Sequence, residues 1–216
     1  MKQKTLFVTA LTGLLLAFTV GTLLYTAKAD KEAGQLTTAN QAALQRMHSP
    51  TLGKAEAPVT IVEFLDPACE TCRAFYPAVK EMMAANPEKI RLVLRYAPFH
   101  PGSDKVVAVL EASRKQDRFW PVLEALLSSQ AAWAPHHKPD VNLVWPYLDG
   151  LGLDLERLRA DMADPAVAQV IAQDLADAKS LNVTMTPEFF VNGKGLPSFG
   201  YEQLKTLVDE ALKAAR

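Results

Sequence analysis

Cys69 and Cys72 are the only cysteines in this chain, and they stand two residues apart. Their surroundings constrain the fold more than any other stretch. Before them runs Val59-Thr-Ile-Val-Glu-Phe-Leu65, an apolar, β-branched segment that reads as a buried strand. After them comes a stretch from Arg73 to Ala85 with Phe75, Val79 and Met82/Met83 at helical spacing. The pair therefore falls where a strand ends and a helix begins. The first turn of a helix carries unpaired N–H groups and the positive end of the dipole, and both stabilise a thiolate. Cys69 is expected to be acidic and nucleophilic, and Cys72, about one turn on, to lie within disulfide reach.

Two blander readings compete. A CxxC is often half of a zinc site, but the chain has no second cysteine pair. His48, His100, His136 and His137 lack the spacing of a Cys/His zinc site. A structural disulfide closing so short a loop removes little unfolded-state entropy. A redox-active dithiol is the reading that remains, with no metal and no cofactor expected.

The 216 residues suffice for one domain with a substantial core, or one with an insertion. A net charge of −1, from 23 basic and 24 acidic residues, gives no reason to expect a nucleic-acid partner. Met1-Lys-Gln-Lys precedes a charge-free run from Thr5 to Ala27. A secretory signal has an apolar core of roughly 7–15 residues and a small-x-small cleavage site, which Ala27-Lys28-Ala29 supplies. A membrane span needs roughly 20 apolar residues, which the run also supplies. Its length favours an uncleaved anchor over a signal peptide. Either way Lys2 and Lys4 stay on the cytoplasmic side and the bulk of the chain is exported. The expected compartment is extracytoplasmic, periplasmic or cell-surface, where a lone cysteine pair can cycle as a disulfide. Asp30 to Pro50 reads as a polar linker or stalk, with a short helix over Thr38–Met47 carrying Leu44 and Met47 on one side.

Beyond the first helix, Asn86-Pro87-Glu88 is a break and Ile90–Tyr96 a strand parallel to Val59–Leu65. Ala97–Gly102 is a loop, in which His100 either caps nearby backbone or approaches the thiols. Ser103 to Ser180 is helical in character: Ser103–Asp104 caps a helix to about Lys115, followed by helices from Phe119, over Val141–Leu148, over Asp154–Met162 and over Pro165–Ser180. Trp120, Trp133 and Trp145 read as packing residues, and His136-His137 as an exposed loop. Met185 to Lys194 reads as a strand ending in Asn192-Gly193, a strong hairpin signal, with Leu196 to Phe199 pairing back. Tyr201 to Ala214 closes the chain as an amphipathic helix with Leu204, Leu207/Val208, Ala211 and Leu212 inward.

From about Leu52 onward this order resembles the thioredoxin superfamily and, within it, the DsbA-like extracytoplasmic oxidoreductases. The residues that carry the likeness are Ala57–Phe64, Cys69-Glu-Thr-Cys72, Phe119-Trp120 and Leu181–Lys194. The resemblance implies an α/β, thioredoxin-like fold with an inserted DsbA-type helical domain, preceded by an N-terminal apolar helix. The expected division is a signal anchor or signal peptide over 1–29, a stalk over 30–50, the first part of the thioredoxin-like domain over 51–102, the helical insertion over 103–180, and the second part over 181–216. The same resemblance implies that Cys69 attacks, that Cys72 resolves, and that Pro187 is a cis-proline facing the disulfide. Thr186, Glu70 and Thr71 would then meet the substrate. Glu63 would be a buried acid with a raised pKa that takes the Cys72 proton.

The likeness departs at the dipeptide between the cysteines. Glu70-Thr71 stands where DsbA-type enzymes commonly have Pro-His, and a negative Glu70 would repel a thiolate. Cys69 is therefore expected to be less acidic than the roughly 3.5 of DsbA, and the protein less oxidising. The function implied is thiol–disulfide exchange on exported proteins carrying thiols or disulfides, with a membrane redox partner resetting the pair. A thiol-based copper- or metal-handling protein is the alternative, since thiolates are soft ligands.

Overall fold

The computed structural model describes residues 40–215. The apolar run over residues 5–27, with its anchor or signal reading, lies outside them. The unit described below begins at Ala43.

Its centre is β2, Val59–Leu65, in which every residue but Thr60 is buried. A strand covered on both faces must be apolar throughout, which is why this run alternates so weakly. β2 pairs in parallel with β3, Ile90–Tyr96, in the register Val59↔Ile90 to Leu65↔Tyr96. The crossover between them is helix α1, Glu70–Ala85, which buries Cys72, Tyr76, Val79 and Met82. On its other side β2 pairs antiparallel with β4, Glu188–Val191. Two short strands complete the sheet, β1 (Thr51–Leu52) on β3 and β5 (Lys194–Gly195) on β4, giving the order β1-β3-β2-β4-β5. Asn192 and Gly193, with φ of 47° and 85°, form the β4–β5 turn. Both central residues being left-handed is what a tight hairpin requires, and Asn-Gly is the pair that tolerates it best.

Side chains alternate between sheet faces with period two. Val59, Ile61 and Leu65 join the larger apolar cluster with α1, while Val62 and Phe64 join the smaller one on the opposite face. Glu63 is in register with Ile61 and Leu65, so it stands on the face that α1 covers. Between β3 and β4 in the chain come α2 (Ser103–Arg114), α3 (Phe119–Ser128), α4 (Gln130–Trp133), α5 (Leu155–Asp161) and α6 (Pro165–Ser180). Trp133, fully buried, donates its indole N–H to Leu126 O at 2.9 Å within this group. Trp120 and Trp145 are partly buried against the same core. Helix α7, Tyr201–Ala214, buries Leu204 and Val208.

Several expectations need correction. Val141–Leu148 is two 3-10 turns, Val141–Leu143 and Trp145–Tyr147, because Pro146 supplies no N–H to continue an α-helix. Ser103 does not cap α2; Gly102 holds the cap position at φ 92°, and Ser103 is the first helical residue. Strand β4 starts at Glu188 rather than Met185, and pairing back ends at Gly195 instead of running through Leu196–Phe199. Of the Thr38–Met47 helix, residues 40–44 are helical. Leu44 is buried, but Met47 is fully exposed, so the two do not share a face.

Residues 43–50 are also not a solvated stalk. Ala43, Leu44 and Ser49 are buried, and the segment is tied down by charge. Arg95, on β3 and wholly buried, pairs with Asp174 at 2.7 Å and Asp177 at 2.6 Å, both on α6. Its remaining reach goes to the Ala43 carbonyl. Asp174 also accepts from the Tyr96 backbone N–H at 2.8 Å and meets His48 Nε2 at 2.6 Å. Asp177 takes a two-pronged contact from Arg46 at 2.6 and 2.8 Å. Removing one partner of a buried ion pair leaves an uncompensated charge and costs about 3–5 kcal/mol. Asp174→Ala is expected to lose stability of that order in urea unfolding, whereas Arg46→Ala, at a third-exposed pair, loses about 1 kcal/mol or less.

Candidate active site

The last residue of β2 leads into Asp66-Pro67-Ala68-Cys69, and Cys69 is the N-cap residue of α1. This short loop is organised by Asp66, which is fully buried. Its Oδ1 accepts the Ala68 N–H at 2.8 Å and its backbone oxygen accepts the Cys69 N–H at 3.0 Å. Its Oδ2 accepts the His100 N–H at 2.9 Å and meets His100 Nδ1 at 2.7 Å.

Cys69 and Cys72 are free thiols, both buried, with Cys69 5% exposed and Cys72 wholly covered. The Cys69 thiol donates to the Thr186 carbonyl oxygen at 3.2 Å. Sheet pairing explains that encounter. Phe64 and Glu63 at the end of β2 face Glu188 and Phe189 at the start of β4. The residues just before β4 are thereby carried alongside the residues just after β2. The Thr186–Pro187 peptide is cis. Pro187 is buried and Thr186 half-buried, while the preceding Met185 is exposed.

The two sulfurs differ sharply in acidity. The Cys69 thiol is held down at about 5: the hydrogen bond from Cys72 contributes most, burial opposes it, and Thr186 and the backbone amides of Cys72 and Thr71 add to the lowering. Those amides belong to the first turn of α1, where N–H groups are free to face an anion. Cys72 is pushed well up, first by burial, then by its bond to Cys69 and by the nearby Glu63. Glu70, exposed in the first turn, is not what sets the acidity of Cys69. Thr71 is half-exposed beside it.

Glu63 is fully buried, and among the described residues neither carboxylate oxygen has a hydrogen-bond partner. Burial, with a smaller push from the charge on Cys69, raises its pKa to about 8. An isolated carboxylate away from water is costly, so it takes a proton instead. Glu63 is a neutral acid at pH 7, on the sheet face that also receives Cys72.

Of the other candidates, His100 sits on Asp66 rather than on a sulfur. His136 is exposed, but His137 is half-buried, its Nδ1 3.3 Å from Ala68 O, and its ring stacks on His100 at 4.7 Å. Gln130, fully buried, donates to Pro67 O at 2.7 Å and Cys69 O at 3.0 Å. Asp66, Gln130 and His137 were not legible as site residues. An Asp-Pro after a strand is an ordinary turn signal, and Gln130 is one polar residue in a helical run. Among the described residues, no group of three or more His, Cys, Asp or Glu side chains is placed to hold a metal ion.

A family model described as thioredoxin matches residues 45–210. The chain belongs to the thioredoxin family. Its relatives carry diverse names. The Na(+)/H(+) antiporter NhaA 3 of Salinispora tropica is 35% identical over 168 residues, 76% of this chain and 25% of that one. This chain thus spans about a quarter of the length of that relative. The disulfide bond formation protein D of Bacillus subtilis is 28% identical over 182 residues, covering 76% of this chain and 77% of that one. Among solved structures, a thioredoxin-like oxidoreductase from Silicibacter pomeroyi DSS-3 is 33% identical with a TM-score of 0.69, over 80% of this chain and 97% of that one.

Glu63 gives this thioredoxin-family site a measurable pH signature. In the oxidised protein no thiol titrates, and Glu63 is left as the buried acid. Its unfolded-state pKa lies near 4.5, and burial, the larger cause, keeps the folded one raised in the oxidised protein, though short of the value of about 8 that it reaches beside a charged Cys69. Between them the folded chain holds a proton that the unfolded chain has released, so stability is full below the lower value and falls as pH rises through the upper one. Urea unfolding of Glu63→Gln across this window is expected to show that fall flattened, by up to about 1.4 kcal/mol per pH unit.

Proposed function

We propose that this chain is a thiol–disulfide oxidoreductase that acts on exported proteins through Cys69 and Cys72. The observation that carries the reading is the pairing of an acidic Cys69 thiol at a helix N-terminus with a buried, weakly acidic Cys72 one turn on. At neutral pH the first sulfur is an anion and the second keeps its proton, which is the division of labour that exchange needs.

In the reducing direction the Cys69 thiolate attacks one sulfur of a client disulfide. A Cys69–client bond forms, and the other client sulfur leaves as a thiolate. Cys72 must then lose its proton to attack Cys69. Glu63 is the base that supports this reading. Part of what keeps it protonated is the charge on Cys69, and that charge disappears in the mixed disulfide. Its pKa then falls, and a carboxylate becomes available when Cys72 has a proton to give. Attack by Cys72 closes Cys69–Cys72 and releases the second client thiolate; the client gains two electrons and the dithiol loses them. The oxidising direction is the same sequence reversed. A membrane redox partner, a quinone-linked oxidase or a reductant, would reset the pair and set the direction.

Thr186 and Pro187 form the wall opposite the thiol. The Thr186 carbonyl, 3.2 Å from the Cys69 sulfur, is placed to pair with an extended client backbone when Cys69 joins the client. Glu70 and Thr71, exposed and half-exposed beside Cys69, meet the client chain, as does Met185, 56% exposed. The basic start and apolar run of residues 5–27 support a site of action outside the cytoplasm. The antiporter relatives are longer proteins, and among the described residues no helix is long and apolar enough to cross a membrane; transport is not part of this reading. The copper-handling alternative gains no support, since among the described residues no group of three or more His, Cys, Asp or Glu side chains is placed to hold a metal ion.

Cys72→Ala is expected to accumulate mixed disulfides with client proteins, seen on non-reducing gels, released by reductant, and lost when Cys69 is also replaced. A Cys72→Ala protein that forms no adduct, together with a parent that does not turn over insulin disulfides, would remove the exchange reading.

A further inference from the structure

Three successive carbonyl oxygens lie next to the reactive sulfur along the chain, those of Pro67, Ala68 and Cys69. All three are engaged by side chains from the helices inserted between β3 and β4. Gln130 Nε2 donates to Pro67 O at 2.7 Å and to Cys69 O at 3.0 Å; the latter oxygen also accepts the Arg73 N–H of α1 at 3.2 Å. His137 Nδ1 reaches Ala68 O at 3.3 Å, which requires the tautomer protonated at Nδ1. The donors come from neighbouring places, α4 and the turn just after it.

That turn is unusual in itself. His136 and His137 both adopt left-handed backbone, with φ of 52° and 59°. Side chains other than glycine enter this region seldom and at a cost, and such residues concentrate where geometry serves a site. The His137 ring is then braced by stacking on His100 at 4.7 Å and 12°. His100 is itself held by Asp66, whose Oδ1 ties the Ala68 N–H. The loop is fixed from both sides, its N–H groups by Asp66 and its carbonyls by Gln130 and His137.

A carbonyl oxygen is the negative end of a peptide dipole. A thiolate forming at Cys69 is favoured when neighbouring oxygens are occupied by donors and when the amides of Thr71 and Cys72 face the sulfur. No cation between the cysteines helps here, because the dipeptide is Glu70-Thr71. We propose that Gln130 and His137 are positioning residues for disulfide exchange: by holding the carbonyls of Pro67, Ala68 and Cys69 they keep the loop in the conformation in which the α1 amides serve the Cys69 sulfur. The inference deepens the exchange reading and rests on it for the role of Cys69 as attacking thiol.

The test follows the thiolate of Cys69 by its ultraviolet absorbance against pH in the reduced full chain, together with the reduction potential. Gln130→Met keeps the length and removes the donor; it is expected to raise the Cys69 pKa by about one unit, a tenfold loss of thiolate below that pKa, and to make the potential less oxidising. His137→Ala shifts both the same way, and His137→Asn, whose amide nitrogen takes the place of Nδ1, restores them. Gln130→Met and His137→Ala proteins that are folded, even if less stable, yet titrate and poise as the parent does would overturn the proposal. If Gln130→Met does not fold, the His137→Ala and His137→Asn pair, at a half-exposed turn, decides alone. Failure of the parent to exchange disulfides would instead strike the exchange reading, leaving the titrations to judge the loop.

Discussion

Strand β2 is buried on both faces, and that constraint governs the rest. With no solvent side, each of its side chains must be apolar, paired or neutral. Period-two alternation then assigns each residue to one cluster or the other. Glu63 falls on the face closed by α1, so its surroundings were decided by register alone. The same strand pairs with β4 on one side and runs into the Asp66–Cys69 loop at its end. One pairing register thus sets three things together: the acid beneath the sulfurs, the sulfur at the helix start, and the Thr186 carbonyl opposite it. A slip of one residue would turn Glu63 to the other face and put Val62 or Phe64 beneath Cys72.

The two buried charge problems on this sheet are solved in opposite ways. Arg95 stands on the smaller-cluster face and finds Asp174, Asp177 and a backbone carbonyl, with its guanidinium also 5.4 Å from the Phe64 ring. Its charge persists because partners surround it. Glu63 has no hydrogen-bond partner among the described residues and holds its proton to a higher pH than an ordinary carboxyl. A paired charge is fixed and serves cohesion. An unpaired acid stays responsive, because its protonation follows whatever charge appears nearby, and the nearest charge that changes is that on Cys69. Stability and reactivity are therefore lodged on opposite faces of one sheet, and the ion-pair network can hold residues 43–50 without touching the chemistry.

What could be read from the chain divides along the length scale of the interactions. Strands β2 and β3, helix α1, the Asn192-Gly193 turn and α7 follow from periodicity and turn chemistry within a dozen residues, and all were legible. The strand–CxxC–helix context was legible for the same reason. β1 was not, because two residues carry no period; it exists only because β3 offers an open edge. Residues 43–50 look solvated, as their polar groups answer acids over a hundred positions away, Arg46 to Asp177 and His48 to Asp174. Gln130 and His137 were invisible as site residues for a like reason: their contacts with the redox loop span 61 to 69 positions. Cys69, at about 5, is less acidic than the roughly 3.5 of DsbA, as expected, but the causes that set its acidity are hydrogen bonds from Cys72, Thr186 and the amides rather than the charge of Glu70 counted along the sequence.

This last point bears on how acidity is built in such a site. A cation placed between two cysteines acts through a short, exposed path that solvent and salt can screen. Amides at a helix start and donors on buried carbonyls act from fixed positions under cover, where screening is weak and reorganisation small. The present loop relies on the second arrangement. Its polarity comes from peptide groups, whose orientation depends on what holds the backbone. The helices between β3 and β4 supply that hold through one fully buried amide and one imidazole. On this view the inserted helices, besides covering the core, are part of the electrostatics of a thiol to which they contribute no charged group.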